Sequence, residues 1–160
     1  MIRALVILAG ALLWSACESS PPVVQPIQFS HKAHTEKGLA CDSCHQSVQK
    51  ASFATIPNTE TCMLCHQGAI TDSPEEEKVR QYAEKGVPIP WRRLYEVPGH
   101  AYFSHRRHVT LGGIECARCH GAIGESPAPL ARPAVFFDMD TCLSCHVERH
   151  ASTECNACHR

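Results

Sequence analysis

Apolar residues are spread unevenly along this chain. Ala4 to Trp14 is an unbroken apolar run of eleven, after a single positive charge at Arg3 and before the small residues Ser15 and Ala16. A helix needs about 20 apolar residues to cross a bilayer, so the run predicts a cleaved export leader over residues 1–16. Beyond it, one stretch has a convincing helical period. Ser73 stands as N-cap, Pro74 at the first helical position and Glu76 at the third, which predicts a capping box. Glu76 and Arg80 are spaced as an i,i+4 ion pair. Val79, Tyr82 and Ala83 share a face, and Gly86 with Pro88 ends the helix. Val87 to Trp91 must then run extended. Residues 124–133 (GESPAPLARP) are too rich in Pro and small residues to be other than loop. The fold class predicted is mostly irregular coil with short α-helices.

Repeats organise the rest. Phe29-Ser30-His31-Lys32-Ala33-His34 recurs as Phe103-Ser104-His105-Arg106-Arg107-His108. A Cys-x-x-Cys-His motif begins seven residues after His34 and eight after His108, and in each half a second one follows, preceded by Thr61 or Thr141. A fifth copy closes the chain. The unit is therefore a duplicated module with an appended motif.

The five motifs are Cys41, Cys44, His45; Cys62, Cys65, His66; Cys116, Cys119, His120; Cys142, Cys145, His146; and Cys155, Cys158, His159. This is the attachment signature of c-type haem. Two thiols are spaced to add across the two vinyl groups of one porphyrin, and the following His reaches the iron. Cys, Cys and His at i, i+3 and i+4 fall on one helical face, so each motif predicts a helical turn. Zinc takes paired CxxC motifs as four thiolates, and an exported chain can build disulfides. Five pairs divide badly into four-ligand sites, and neither chemistry requires His after every second Cys. Five covalently bound haem c groups are predicted.

Six histidines lie outside the motifs: His31, His34, His100, His105, His108 and His150. Five irons need five distal ligands, so supply just exceeds demand. The four in the FSHxxH repeats are the strongest candidates, and one of His100 or His150 is expected to serve the remaining iron. Methionine is the competing ligand and would raise the potential; only Met63 and Met139 follow Met1, and Met63 lies inside a CxxC. Bis-His ligation throughout implies low potentials and no open coordination position. A reductase acting on nitrite, hydroxylamine or a metal ion would need a vacant iron, and is the alternative. A third reading, a subunit docking its partners through the Ser73–Lys85 helix, is weaker than a packed spacer.

Composition adds two constraints. The 144 residues left after the leader give each haem about 29, too few for more than a modest polypeptide core, so haems would form the core. Fourteen Lys and Arg then face sixteen Asp and Glu, and ionised propionates would bring the total to about −7 to −12. Several arginines are therefore expected to pair with propionates, and no basic stripe for nucleic acid is present. Cys17 is the odd eleventh cysteine. Leu13 to Cys17 resembles a bacterial lipoprotein signal, with Cys17 lipidated and residues 17–28 a Pro/Ser tether. The predicted parts are then a dihaem module (29–70), a helical spacer (71–98) and a trihaem module (99–160).

At the F-x-H-x-x-H and CxxCH residues the chain resembles the class III multihaem cytochromes c. That resemblance implies His31 and His105 as ligands for the haems of Cys41/Cys44 and Cys116/Cys119. It implies His34 and His108 for those of Cys62/Cys65 and Cys142/Cys145. It leaves His150 or His100 for the fifth iron, at Cys155/Cys158. Residues 89–121 (IPWRRLYEVPGHAYFSHRRHVTLGGIECARCHG), with the earlier IPNTETCMLCH, are similar to the pentahaem cytochrome subunit of alternative complex III, a quinol-oxidising membrane complex. This narrower resemblance favours His100. Related cytochromes accompany molybdopterin-type quinone-linked complexes. The expected protein is periplasmic, membrane-anchored and not itself an enzyme. It would pass electrons from a quinol-linked complex to a downstream acceptor, with redox proteins and membrane subunits as partners.

Fatty-acid labelling checks the anchor: wild type should be marked and Cys17→Ser should not, the acyl chains of a lipoprotein making attachment stable. Release of wild type with another N-terminus would refute it.

Overall fold

A computed structural model describes residues 21–159. The leader and Cys17 lie outside the described residues. Helices are short: α1 His31–Thr35, α2 Cys41–Cys44, α3 Thr59–Met63, α4 Pro74–Glu84, α5 Ala117–His120, α6 Met139–Glu148 and α7 Cys155–Cys158. A π-helical turn, Arg106–Leu111, and a 3-10 turn, Ile123–Glu125, complete them. Among the described residues no strand forms, and one antiparallel bridge joins Ala101 to His159.

The two FSHxxH repeats fold alike because Phe and Ser do the same work in both. Ser30 Oγ accepts from Ala33 N at 3.1 Å and Ser104 Oγ from Arg107 N at 3.4 Å, each capping a helical start. Phe29 stacks on His34 at 4.4 Å and Phe103 on His108 at 4.7 Å, while each Phe meets the first His edge-on at 4.9 Å. Leu39 N then bonds His34 O, and Ile114 N bonds His108 O. The second repeat has one more residue to its CxxCH, and the π-turn absorbs it, with Gly112 N reaching back to Arg107 O. One inserted residue inside a helical turn is what a π-bulge accommodates. A Cβ on Gly112 would lie 2.7 Å from His108 O, so this turn demands glycine.

The second motif of each half repeats a cap. Asn58 accepts from Thr61 N at 3.4 Å and Asp138 from Thr141 N at 2.8 Å. This accounts for a Thr before both Cys62 and Cys142. The helical turn at Cys142 runs on to Glu148, longer than the short turn predicted.

Helix α4 forms where the sequence predicts, packed on α3, with Val79, Tyr82 and Ala83 half-buried. Its end is a Schellman motif: Gly86 (φ 64°) donates to Ala83 O and Val87 to Tyr82 O. Two details differ from expectation. Ser73 Oγ accepts from Glu75 N rather than Glu76 N, and the Glu76 side chain does not close a capping box. It turns instead to the loop before the helix, accepting from Ile70 N, Thr71 N and Thr71 Oγ1 at 2.7 to 3.0 Å. Arg80 bonds mainly to Glu77, at 2.8 Å, with Glu76 at 3.8 Å. The i,i+3 partner is exposed and free to reach it, whereas Glu76 is already saturated with donors.

The expected tether is also docked over its described part. Val23 donates to Ala131 O, the Gln25 amide clamps both backbone groups of Arg92, Ile27 is buried, and Gln28 donates to Glu75. Of residues 124–133, expected as loop, Gly124 and Glu125 belong to the 3-10 turn and the rest form loop; the segment caps α1 of the first half through Ser126 O, which accepts from Lys32 N, and Gly124 O, which accepts from Thr35 Oγ1. Buried apolar side chains number three among the described residues: Ile27, Val48 and Ile89. Phe53, Leu64, Phe136 and Val147 are more than 60 % exposed.

Gly112→Ala should lower the stability of the holoprotein by about 1–3 kcal/mol through overpacking against His108 O, seen as a reduced Tm. An unchanged Tm would contradict the close approach.

Candidate haem sites

Each CxxCH is one helical turn closed by the His. The backbone N–H of His45, His66, His120 and His159 bonds the carbonyl of the first Cys of its motif at 2.9 to 3.0 Å. That hydrogen bond puts both thiols and the imidazole on one side of the turn. The ten motif cysteines are free. Burial pushes the thiols of Cys44, Cys62, Cys116, Cys119 and Cys142 upward, with neighbouring sulfurs adding to it.

Imidazoles meet in pairs, one from a motif and one from outside. His34 and His66 have ring centres 6.1 Å apart, His105 and His120 6.4 Å at an interplanar angle of 5°, and His108 and His146 6.2 Å. His100 and His159 lie 5.5 Å apart at 18°. For His31 the neighbouring imidazole that most opposes its protonation, after burial, is that of His45. A metal–imidazole bond is about 2 Å and an imidazole's centre sits about 1 Å behind its nitrogen. Two imidazoles on opposite faces of one metal therefore have centres about 6 Å apart. Three pairs stand at that span, and the fourth is slightly closed.

Second partners fix the ring orientation. His34 Nδ1 meets Ser30 O at 2.8 Å and His108 Nδ1 meets Ser104 O at 2.8 Å. His105 meets Ser52 O at 2.9 Å, His45 meets Thr55 O at 2.7 Å and His146 meets Ser152 O at 2.6 Å. A carbonyl oxygen only accepts, so Nδ1 carries the proton and Nε2 keeps a free lone pair for a metal. Burial, followed by neighbouring histidines, holds His31 and His120 below the ordinary imidazole range. They are neutral at neutral pH, the form that ligates.

The fifth pair depends on backbone. Tyr102 N donates to Cys158 O at 2.7 Å beside the Ala101–His159 bridge, and this lays His100 along His159. His150 is exposed and ends α6 in the left-handed region at φ 53°. The ring brought to His159 is that of His100.

A planar apolar group with acidic arms fits this chain. Leu64 and Val147, beside motif residues, are exposed, and His31 Nδ1, His66 Nδ1, Arg80 Nη1 and Trp91 Nε1 are buried without a hydrogen-bond partner. Among the described residues no group of three or more His, Cys, Asp or Glu converges as a metal site of the closed type. Arg118 and Arg149, two of the arginines available to propionates, already bond Glu148 and Gly112 O. Sulfurs of different motifs are near enough to act on one another: the Cys62 thiol is pushed up by Cys44, that of Cys116 by Cys41, that of Cys119 by Cys145 and Cys142, and that of Cys142 by Cys158. The motifs thus neighbour one another in series. Sequence reasoning missed the carbonyl anchors, the Phe stacking and the role of Glu76. The recurring Phe-Ser and Asn/Asp-x-x-Thr-Cys were the available signals for the second anchor set and the caps.

These features define a multihaem c-type cytochrome carrying covalent haem c, with a role in electron transfer. The family described as cytochrome c7 and related cytochrome c matches residues 27–84 and 101–160, one match per FSHxxH repeat, and the chain belongs to it. It is also similar to the multiheme cytochrome c subunit of a menaquinone reductase from Nitratidesulfovibrio vulgaris (strain Hildenborough), at 32 % identity over 126 residues. That alignment covers 78 % of this chain and 52 % of the relative, so the chain spans about half the relative's length.

Replacing His100 by Ala should open one iron, giving a high-spin fraction and carbon monoxide binding in the reduced protein. Replacing His150 by Ala should leave the spectra of the wild type. The reverse result would reassign the fifth pair.

Proposed function

We propose that this chain is an exported, lipid-anchored pentahaem cytochrome on the periplasmic side of a bacterial membrane, relaying electrons within a quinone-linked assembly. The observation that carries the proposal is the meeting of motif and non-motif imidazoles at the span of a shared metal. In this reading five irons have the axial pairs His31/His45, His34/His66, His105/His120, His108/His146 and His100/His159. The ten motif cysteines hold the porphyrins. Bound haem supplies a reversible one-electron change at iron, and two imidazoles rather than imidazole and thioether keep its potential low.

The protein's own contribution is position. Nδ1–carbonyl bonds orient the rings, and the mutual electrostatic influence of the motif sulfurs supports a relay running Cys62/Cys65, Cys41/Cys44, Cys116/Cys119, Cys142/Cys145, Cys155/Cys158. Two imidazoles offered to each haem would leave no position for a substrate, so these residues would serve electron transfer rather than substrate conversion. The similarity to a menaquinone reductase subunit supports membrane subunits as partners. That subunit's name associates it with quinone reduction, opposite in direction to the quinol oxidation of alternative complex III. A relay of equivalent bis-imidazole centres serves either direction.

Intact mass of the matured holoprotein should exceed the processed polypeptide by five haem masses. Electron paramagnetic resonance of the oxidised protein should show low-spin signals only. Four haems, or a substantial high-spin signal in wild type, would overturn the five-pair assignment, and the latter would favour a reductase with a vacant iron.

A further inference from the structure

Five imidazoles direct Nδ1 at a neutral peptide carbonyl: His34, His45, His105, His108 and His146. His66 does not. Its Nδ1 is buried without a hydrogen-bond partner, and the acceptor facing it is a carboxylate, Glu76 Oε2 at 3.7 Å. That is under 1 Å beyond a hydrogen bond of about 2.9 Å. Glu76 is itself buried. It is fixed in place by Ile70 N at 2.8 Å, Thr71 N at 3.0 Å and Thr71 Oγ1 at 2.7 Å. Three N–H and O–H donors converging on one carboxyl group are the surroundings of a carboxylate. Among the described residues the cation against it is Arg80, whose Nη1 stands 3.8 Å away while its closer bond goes to Glu77 at 2.8 Å.

We propose that Glu76 is the positioning residue for His66: its carboxylate, 3.7 Å from the otherwise unpartnered Nδ1, draws on that N–H electrostatically and lowers the reduction potential of the haem held by Cys62 and Cys65. The inference rests on the reading of His66 as an axial ligand. A carboxylate draws the Nδ1 proton more strongly than a carbonyl does. The ring becomes more basic at Nε2 and stabilises the ferric state over the ferrous. No proton need leave the ring for this to act. Glu76 is the third residue of α4, and its carboxylate turns back to Ile70 and Thr71, on the side of the motif before the helix, rather than to the helix N-terminus. In the serial order of motifs, the Cys62/Cys65 site lies at one end, and the carboxylate therefore distinguishes a terminal centre.

Two substitutions in the holoprotein test this with opposite signs. Glu76→Gln removes the charge and keeps an oxygen acceptor. It should favour reduction of one haem about tenfold, which for one electron is about 59 mV upward. Thr71→Val removes a donor from the carboxylate, leaves its charge, and strengthens its pull on Nδ1. It should shift the same haem downward. Loosened packing would move both variants in the same direction, so it is separable. Spectroelectrochemical titration reads the steps, and His34→Met, which changes the distal ligand of this site, identifies which step belongs to it. If Glu76→Gln fails to load haem, the direction of Thr71→Val decides: downward supports the proposal, upward or unchanged overturns it. Haem present on Cys62 and Cys65 by peptide mass with no step moved in either variant overturns the role of Glu76 alone. Absence of haem there in wild type overturns the site reading beneath it.

Discussion

A hydrogen bond from imidazole Nδ1 to an oxygen acceptor is the interaction on which the rest of this structure depends. It settles the tautomer of the neutral ring, because a carbonyl has nothing to donate, and leaves Nε2 as the nitrogen available to a metal. His34 and His108 take their acceptor four residues back, from the Ser that also caps the turn. The anchor is thus built into the same six residues as the ligand candidates. His105 takes its acceptor from the other half of the chain, at Ser52. Local anchors make each module, and the long-range one joins them.

That dependence matters because the polypeptide has little else. The three buried apolar side chains among the described residues cannot offset the conformational entropy of ordering a domain of this length, at about 1–2 kcal/mol per residue for the backbone. Cross-module bonds such as Thr110 to Gln49 O and Arg106 N to Ala51 O fix geometry, each contributing about 1 kcal/mol net. The burial that drives folding has to come from the porphyrins themselves, whose faces would cover side chains such as Leu64 that the chain leaves in water.

The sequence was most readable where chemistry dictates spacing. Cys, Cys and His on one turn, the duplicated FSHxxH and the α4 boundaries with their Gly86 stop all follow from local rules, and the structure has them. The choice between His100 and His150 was not local, since both are single residues near the last motif. The Ala101–His159 bridge, a contact between segments 58 residues apart in the sequence, is what lays the His100 ring rather than that of His150 against His159. Glu76 was misread for the opposite reason: the capping-box pattern is a strong local signal, and Thr71 and Ile70 outcompeted it with three donors already in place. The docking of residues 23–28 was hidden because a Pro-rich composition predicts extension and says nothing about what an extended chain lies against.

The loop from Ser52 to Thr55 carries two anchors at once. Ser52 O holds His105 and Thr55 O holds His45, and Thr55 sits at φ 62°, a left-handed conformation that costs a β-branched residue about 1–3 kcal/mol. Such a stiffly wound segment has few ways to yield. Rotation of one imidazole displaces a carbonyl three residues from the carbonyl that steers the other. Neighbouring centres from the two halves of a duplicated chain therefore share a single hinge pin, and neither can reorient in isolation.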